Sequence, residues 1–321
     1  MTDVRLHIVT GKGGTGKTTV AAALALALAS GGDRVLLCEV EGRQGIASLF
    51  DVAPLPYEER RVAVGPGGGE VVALAIDVEA ALLEYLDMFY RLGRAGKALD
   101  RFGVIDFATT IAPGVRDVLL TGKVYEATRR HDHGEPAYDA VVLDAPPTGR
   151  IGHFLNVNEE VAGIAKVGPI RKQADSIMRL LRSDLSQVHF VTSLEEMPVQ
   201  ETLDSMAELG RLGLPMGSII VNMARQPELS PADLEAACRG DLDAAAIEIG
   251  LKEAGVRADE SVVAGLMLLG REHAERVALE AEQRILLDSA GQPVVTLPYL
   301  ADGMDLGGLY DLAEELCEHG F

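Results

Sequence analysis

The run Gly11-Lys12-Gly13-Gly14-Thr15-Gly16-Lys17-Thr18 constrains this chain more than any other feature. It fits G-x-x-x-x-G-K-[ST] and follows Val4-Arg5-Leu6-His7-Ile8-Val9-Thr10, which reads as a strand. Thr18 to Ser30 is rich in Ala and Leu and predicts a helix closed by Gly31-Gly32. Between a strand and a helix, Gly11, Gly13, Gly14 and Gly16 let backbone N–H groups turn inward around phosphate, with Thr15 inside the same turn. The helix start adds favourable partial charge. Lys17 is placed to reach β- and γ-phosphates and Thr18 to ligate Mg²⁺, with Thr19 in the first helical turn beside them. These residues predict a nucleotide site for ATP or ADP with Mg²⁺.

The remaining chain supports one fold class, α/β with a doubly wound, mostly parallel sheet. Arg34 to Val40 is a nearly continuous apolar run, as in a strand covered on both faces. Val71 to Ile76, Tyr138 to Leu143, Val188 to Thr192, Ser218 to Val221 and Pro293 to Leu297 repeat it, mostly with helical stretches between. The expectation is a single P-loop domain over 1–321, with helical additions near 77–130, 151–185 and 230–288. The first addition carries Leu82, Leu86 and Phe89, with Tyr85 beside them, at helical spacing. Gly65-Pro66-Gly67-Gly68-Gly69 reads as a loop between elements.

Charge and cysteine usage exclude several classes. The formal net charge is −20, and residues 227–321 carry six basic and twenty acidic side chains. Neutralising nucleic-acid phosphates needs clustered Lys and Arg, so no nucleic-acid partner is expected. Cys38, Cys238 and Cys317 form no CxxC pair, which suits a reducing cytoplasm and predicts no zinc or thiolate-metal site. His131-Asp132-His133 reads as a polar loop rather than a metal site. The start Met1-Thr2-Asp3-Val4-Arg5 lacks a signal-peptide layout, and the longest conspicuously apolar stretch, Val20 to Ala29, is too short to span a bilayer. A cytoplasmic protein with no integral membrane segment is expected.

Lys12, early in the loop, makes Gly-Lys-Gly-Gly-x-Gly-Lys-Thr, which resembles the deviant Walker A of the MinD, ParA, nitrogenase iron-protein and ArsA group. The resemblance implies that Lys12 reaches a partner's nucleotide across a dimer interface, in a homodimer or in a heterodimer with a paralogue. Asp144 ends a buried strand at the sheet edge where ligands bind, and it is placed to hold Mg²⁺ through water. Asp144-Ala145-Pro146-Pro147-Thr148-Gly149-Arg150 is similar to switch II of the ArsA ATPases and of their relatives that target tail-anchored proteins. By that likeness the backbone at Thr148 and Gly149 senses the γ-phosphate, Asn222 reads adenine, and Pro298 in Leu297-Pro298-Tyr299-Leu300 belongs to the loop over the base. The segments Leu194-Glu195-Glu196 and Gln200-Glu201-Thr202 follow the family pattern, and the likeness extends from Val4 to Leu316. It is strongest to the actinobacterial anion-transporting branch, in which two paralogues are thought to work together.

Departures qualify what the likeness implies. The family aspartate that orients the attacking water corresponds here to Glu41, whose carboxylate lies one methylene further out. A displacement of about 1 Å can cost roughly a hundredfold in rate, so slow hydrolysis is expected. Arg150 replaces a family histidine, and Arg43 and Arg129 are further candidates for phosphate contact. The leading expectation is a dimeric, ATP-hydrolysing switch with catalytic residues Lys12, Lys17, Glu41 and Asp144, acting on an unidentified client. The alternative is an ATP-binding regulatory subunit that barely hydrolyses and pairs with a paralogous ATPase. A MinD- or ParA-like positioning role and a kinase or ligase on the same loop are weaker readings. The acidic terminus Asp311 to Phe321 is unlike a basic membrane helix.

Overall fold

The computed structural model describes residues 4–90, 114–164, 169–301 and 303–321. Its strands are β1 (Leu6–Gly11), β2 (Arg34–Glu39), β3 (Arg60–Val64), β4 (Glu70–Ala75), β5 (His131–Asp132), β6 (Glu135–Pro136), β7 (Ala140–Asp144), β8 (Ser186–Thr192), β9 (Met216–Ala224) and β10 (Val294–Pro298). Its α-helices are α1 (Lys17–Leu28), α2 (Gly45–Leu49), α3 (Val78–Tyr90), α4 (Val115–Arg129), α5 (Thr148–Ile164), α6 (Pro169–Leu181), α7 (Glu196–Arg211), α8 (Pro231–Arg239), α9 (Ala244–Glu253), α10 (Glu260–Asp288) and α11 (Leu306–Glu318). Eight strands form one sheet in the order β10-β9-β8-β1-β7-β2-β4-β3, and the small β5-β6 hairpin stands apart. Neighbouring strands run parallel except for β3, which is antiparallel to β4. This is the mostly parallel α/β sheet that the apolar runs predict.

The continuous apolar runs follow from two covered faces. Successive side chains along a strand point to opposite sides, so a strand packed on both must be apolar throughout. Leu6 and Ile8 of β1, Leu36 and Cys38 of β2, and Val141 and Leu143 of β7 pack with Leu120, Phe154 and Ile177 from α4, α5 and α6. Val9, Val35, Leu37 and Val142, from the same three strands, face the other way onto α1 and α11, through Leu24, Leu312 and Leu316. Val20 to Ala27 of α1 are all buried, so its alanines admit close approach on both sides.

β3 is absent from the sequence expectation. Arg60-Arg61-Val62-Ala63-Val64 lies at an edge, is partly exposed along its length, and so needs no unbroken apolar run. The glycine-rich loop turns the β3–β4 hairpin, with the Gly65 N–H donating to the Gly69 carbonyl at 2.7 Å. Leu82 packs against the core, whereas the side chains of Tyr85, Leu86 and Phe89 lie outside the described residues. Residues 91–113 of the expected first addition and 165–168 of the second do so as well. Among the described residues, no helix is long and apolar enough to cross a membrane.

Candidate functional site

The parallel strands deliver the motif residues to one edge of the sheet. β1 ends at Gly11 and α1 begins at Lys17, so the predicted phosphate loop spans the turn between them. Two glycines are required by contact. A Cβ on Gly11 would lie 2.2 Å from the Val191 carbonyl oxygen of neighbouring β8. Gly16 has φ 81° and would place a Cβ 2.2 Å from Asn222 Nδ2. Thr15 Oγ1 donates to the Lys12 carbonyl at 2.9 Å and fastens the loop from inside. Gly13 and Gly14 meet no neighbour, which leaves that side of the loop open.

Lys17, Thr18 and Asp144 converge. Lys17 Nζ lies 2.6 Å from Asp144 Oδ1, and Thr18 Oγ1 donates to Asp144 Oδ2 at 2.8 Å. The Lys17 and Asp144 side chains are 9% and 5% exposed. Thr19 is on the same helical turn, half-buried.

Glu39, which sequence reasoning did not single out, stands beside this group. It pairs with Asp144 in the β2–β7 register, so both side chains leave the same face of the sheet. Its Oε1 accepts from the Gly45 N–H at 3.2 Å, while its buried Oε2 has no hydrogen-bond partner. A Cβ on Gly45 would in turn lie 3.1 Å from Thr18 Cγ2, so Glu39 and Thr18 flank the same residue. A hydroxyl, a carboxylate and an orphaned buried carboxyl oxygen form a hard oxygen set that fits Mg²⁺. Among the described residues, no three His, Cys, Asp or Glu side chains could hold a metal alone. Mg²⁺ in nucleotide sites does not need such a cage, since it keeps several waters and uses one or two carboxylates with phosphate oxygens.

Glu41 lies just beyond β2, with its side chain 15% exposed. Its two oxygens are 3.9 Å from Arg150 Nη1 and 3.8 Å from Arg43 Nε. Arg150 also lies 3.8 Å from Asp117 Oδ1, so it ties Glu41 to the first turn of α4. Thr148 opens α5 and is buried, while a Cβ on Gly149 would meet nothing. Arg129 is elsewhere. It lines a cavity with Arg5 and Leu185, just before β1 and β8 and at the opposite edge from the phosphate loop.

Asn222 near the end of β9 is buried, and its Nδ2 donates to the Thr15 carbonyl at 2.9 Å. Beyond it opens a cavity of about 520 Å³ lined by Ser193, Glu195, Met223, Arg225 and Tyr299. Pro298 ends β10, and the Tyr299 N–H donates to the Ala224 carbonyl at 2.8 Å, bringing this loop over the cavity. The Arg225 guanidinium lies 4.4 Å from the Tyr299 ring centroid. The wall facing them comes from α10, through Arg276, Glu280 and Gln283. No local signal in that acidic helix announces such a role.

Lys12 contacts Glu201 of α7 at 2.5 Å. The cysteines do not meet: Cys38 is buried in β2, Cys238 is exposed and Cys317 partly buried. Burial pushes the Cys38 thiol up to about 12, far from thiolate character at neutral pH. His131 and His133 lie on the small β5-β6 hairpin.

The sequence profile of the family described as anion-transporting ATPase matches residues 4–186. The ATPase BagA of Mycobacterium tuberculosis is 54% identical over 321 residues, covering 100% of this chain and 94% of its own. A Mycobacterium bovis protein, also named an ATPase, matches with the same identity and coverage. A protein of Aquifex aeolicus, whose name describes an arsenical pump-driving ATPase, is 30% identical over 166 residues, covering 48% of this chain and 38% of its own.

Proposed function

The chain belongs to the anion-transporting ATPase family of the ArsA type, and from that premise we propose that it is a dimeric switch that binds and slowly hydrolyses Mg-ATP. The observation that carries this reading is the shared carboxylate of Asp144, with one oxygen on Lys17 and the other on Thr18. In P-loop enzymes the lysine serves the β- and γ-phosphates and the hydroxyl serves the metal. With a triphosphate in the loop drawing Lys17 from Asp144, the residues Asp144, Thr18 and Glu39 would hold Mg²⁺ and its waters. When bound, the ion would supply neutralisation of the charge on the phosphates.

Gly11, Gly13, Gly14, Thr15 and Gly16 present backbone amides to the phosphates, with Lys17, Thr18 and Thr19 at the helix start. Asn222 and Pro298 border the base, and Thr148 and Gly149 report the γ-phosphate to α5. Glu41 orients the attacking water. Catalysis of this kind is mostly positioning and preorganised charge, so removing one positioned group loses rate without abolishing binding. Lys12 completes a partner's site, in a homodimer or a heterodimer. The proposed setting is cytoplasmic, with an unidentified client and no nucleic acid. The whole chain, 1–321, acts as one P-loop domain with helical additions at 77–130, 151–185 and 230–288.

A specific observation favours a second reading, an ATP-binding regulatory subunit with little hydrolysis. Glu41 is longer than the family aspartate and lies within 4 Å of both Arg43 and Arg150, which compete with water for its oxygens. Steady-state ATP turnover by the purified chain separates the two, with Lys12→Ala and Lys17→Ala as controls. Turnover lost in both variants supports the self-sufficient switch. Tight Mg-ATP binding without turnover supports the regulatory subunit.

A further inference from the structure

Lys12 is already engaged within its own chain. Its Nζ lies 2.5 Å from Glu201 Oε1, and the other oxygen of that carboxylate accepts from Thr148 Oγ1 at 3.0 Å. One turn along α7, Ser205 Oγ donates to the Thr148 carbonyl at 3.4 Å. One turn along α5, Gly152 faces Glu208 so closely that a Cβ there would lie 1.9 Å from Glu208 Oε1. Helix α7 therefore grips the first turns of α5 through side chain and backbone, while Glu201 reaches from the same surface into the phosphate loop. Lys12 holds the Glu201 carboxyl below the usual carboxylate range, and the Thr148 hydroxyl adds to the effect.

We propose that Glu201 is a positioning residue that keeps Lys12 withdrawn onto its own subunit and ties it to Thr148, so that the lysine is released to a partner's nucleotide when the start of α5 moves. This rests on the reading that Lys12 acts across a dimer. While Lys12 Nζ lies 2.5 Å from Glu201 Oε1, its charge and at least one of its three N–H donors are committed to its own subunit. The Lys12 and Glu201 side chains are 29% and 35% exposed, so their ion pair is of the weak, solvent-screened kind. A triphosphate carrying several charges can displace it. Motion of Thr148 toward a γ-phosphate withdraws the hydroxyl that fixes the position of the Glu201 carboxylate, which leaves Glu201 free to swing away from Lys12.

The test has two arms, each comparing the chain with Glu201→Gln, which keeps the side chain's shape and removes its charge. In the first, Lys12 of the nucleotide-free chain is acylated with acetic anhydride and followed by mass spectrometry. The proposal expects acylation to speed up by roughly two- to fivefold, the scale of a partly exposed ion pair. In the second, self-association in Mg-ATP is measured by sedimentation. Glu201→Gln pairs at a lower protein concentration by a similar factor, and Lys12→Ala in that background removes the gain. A merely structural role for Glu201 predicts weaker pairing whether or not Lys12 is present. Unchanged acylation overturns the tether whatever the pairing shows. Faster acylation with unchanged pairing overturns the claim that release controls assembly. Faster acylation with no ATP-driven pairing in either protein overturns the dimeric reading and leaves the tether standing.

Discussion

Lys17 and Asp144 form a 2.6 Å ion pair in which both side chains are less than a tenth exposed. A buried pair of this kind is most sensitive to losing one member, because the charge left behind has neither water nor partner. Asp144→Asn is expected to destabilise the nucleotide-free chain by about 3 kcal/mol, read from urea unfolding. It is also expected to slow ATP turnover by more than about tenfold, since the same carboxylate is proposed to serve the metal side of the site. Unchanged unfolding would mean that the pair is not formed in solution.

Glu41 carries the expectation about water. Glu41→Gln keeps the size while removing the charge that orients the water and faces Arg150, so turnover is expected to fall by about a hundredfold. ATP affinity is expected to hold. Equilibrium binding of a fluorescent ATP analogue, run beside single-turnover hydrolysis, separates the two effects. Hydrolysis at the original rate assigns the water to another group.

Glu39 gives a prediction with two opposite signs. Its buried Oε2 has no hydrogen-bond partner, so Glu39→Gln removes an uncompensated charge from the core while keeping the side chain's shape. Stability of the metal-free chain is expected to hold or rise, because a poorly satisfied buried carboxyl contributes little or is costly. The Mg²⁺ concentration needed to support nucleotide binding is expected to rise by about tenfold, the lower end of what loss of an outer-shell partner costs. Calorimetric titration of Mg²⁺ with ADP present checks the second sign. Unchanged Mg²⁺ dependence removes Glu39 from the metal's surroundings.

His7 and His189 predict how stability depends on pH. They stack with ring centroids 5.3 Å apart, His7 Nδ1 lying 3.1 Å from His189 Nε2, and Phe321 packs edge-on against His189. The Ser218 N–H donates to His189 Nδ1, which places the His189 proton on Nε2, facing His7. Burial lowers His7 to about 4 and lowers His189 well below its ordinary value. Below pH 6.5 the unfolded chain gains protons that the folded chain refuses, so stability falls as pH drops from about 6.5 toward 4. The loss is expected to be a few kcal/mol, read from urea unfolding across that range. Glu201 and other acidic groups lose their partners lower in pH, so the steepest part above pH 5 belongs to the histidines. Replacing both with Gln flattens it.

Much of this architecture is legible along the chain, because its determinants are local. The phosphate loop carries its glycines, lysine and threonine consecutively, and the apolar runs of β1, β2 and β7 announce strands covered on two faces. β3 is not legible, since an exposed edge strand such as Arg60-Arg61-Val62-Ala63-Val64 needs no apolar pattern. Asp144 comes to notice because it ends a strand that points at the loop, and Glu41 because it stands where the family's water-orienting aspartate falls. Glu39 escapes because a glutamate inside an apolar strand has no meaning until its register opposite Asp144 is known. Glu201 is visible as part of a family-like segment, but its contact with Lys12 spans 189 residues and depends on how α7 docks beside α5. The wall that α10 lends to the cavity beyond Asn222 is likewise a product of tertiary packing.

Whether one subunit's Lys12 completes the other's site can be read by mixing two impaired variants. Lys12→Ala keeps its own Glu41, and Glu41→Gln keeps its own Lys12, so each mixed dimer contains one complete site. Each variant alone is expected to be nearly inactive, and an equal mixture to recover about a quarter of the original turnover, since half the dimers are mixed and each has one working site of two. A mixture no faster than the average of its two components, measured at concentrations where both bind ATP, would contradict that role for Lys12.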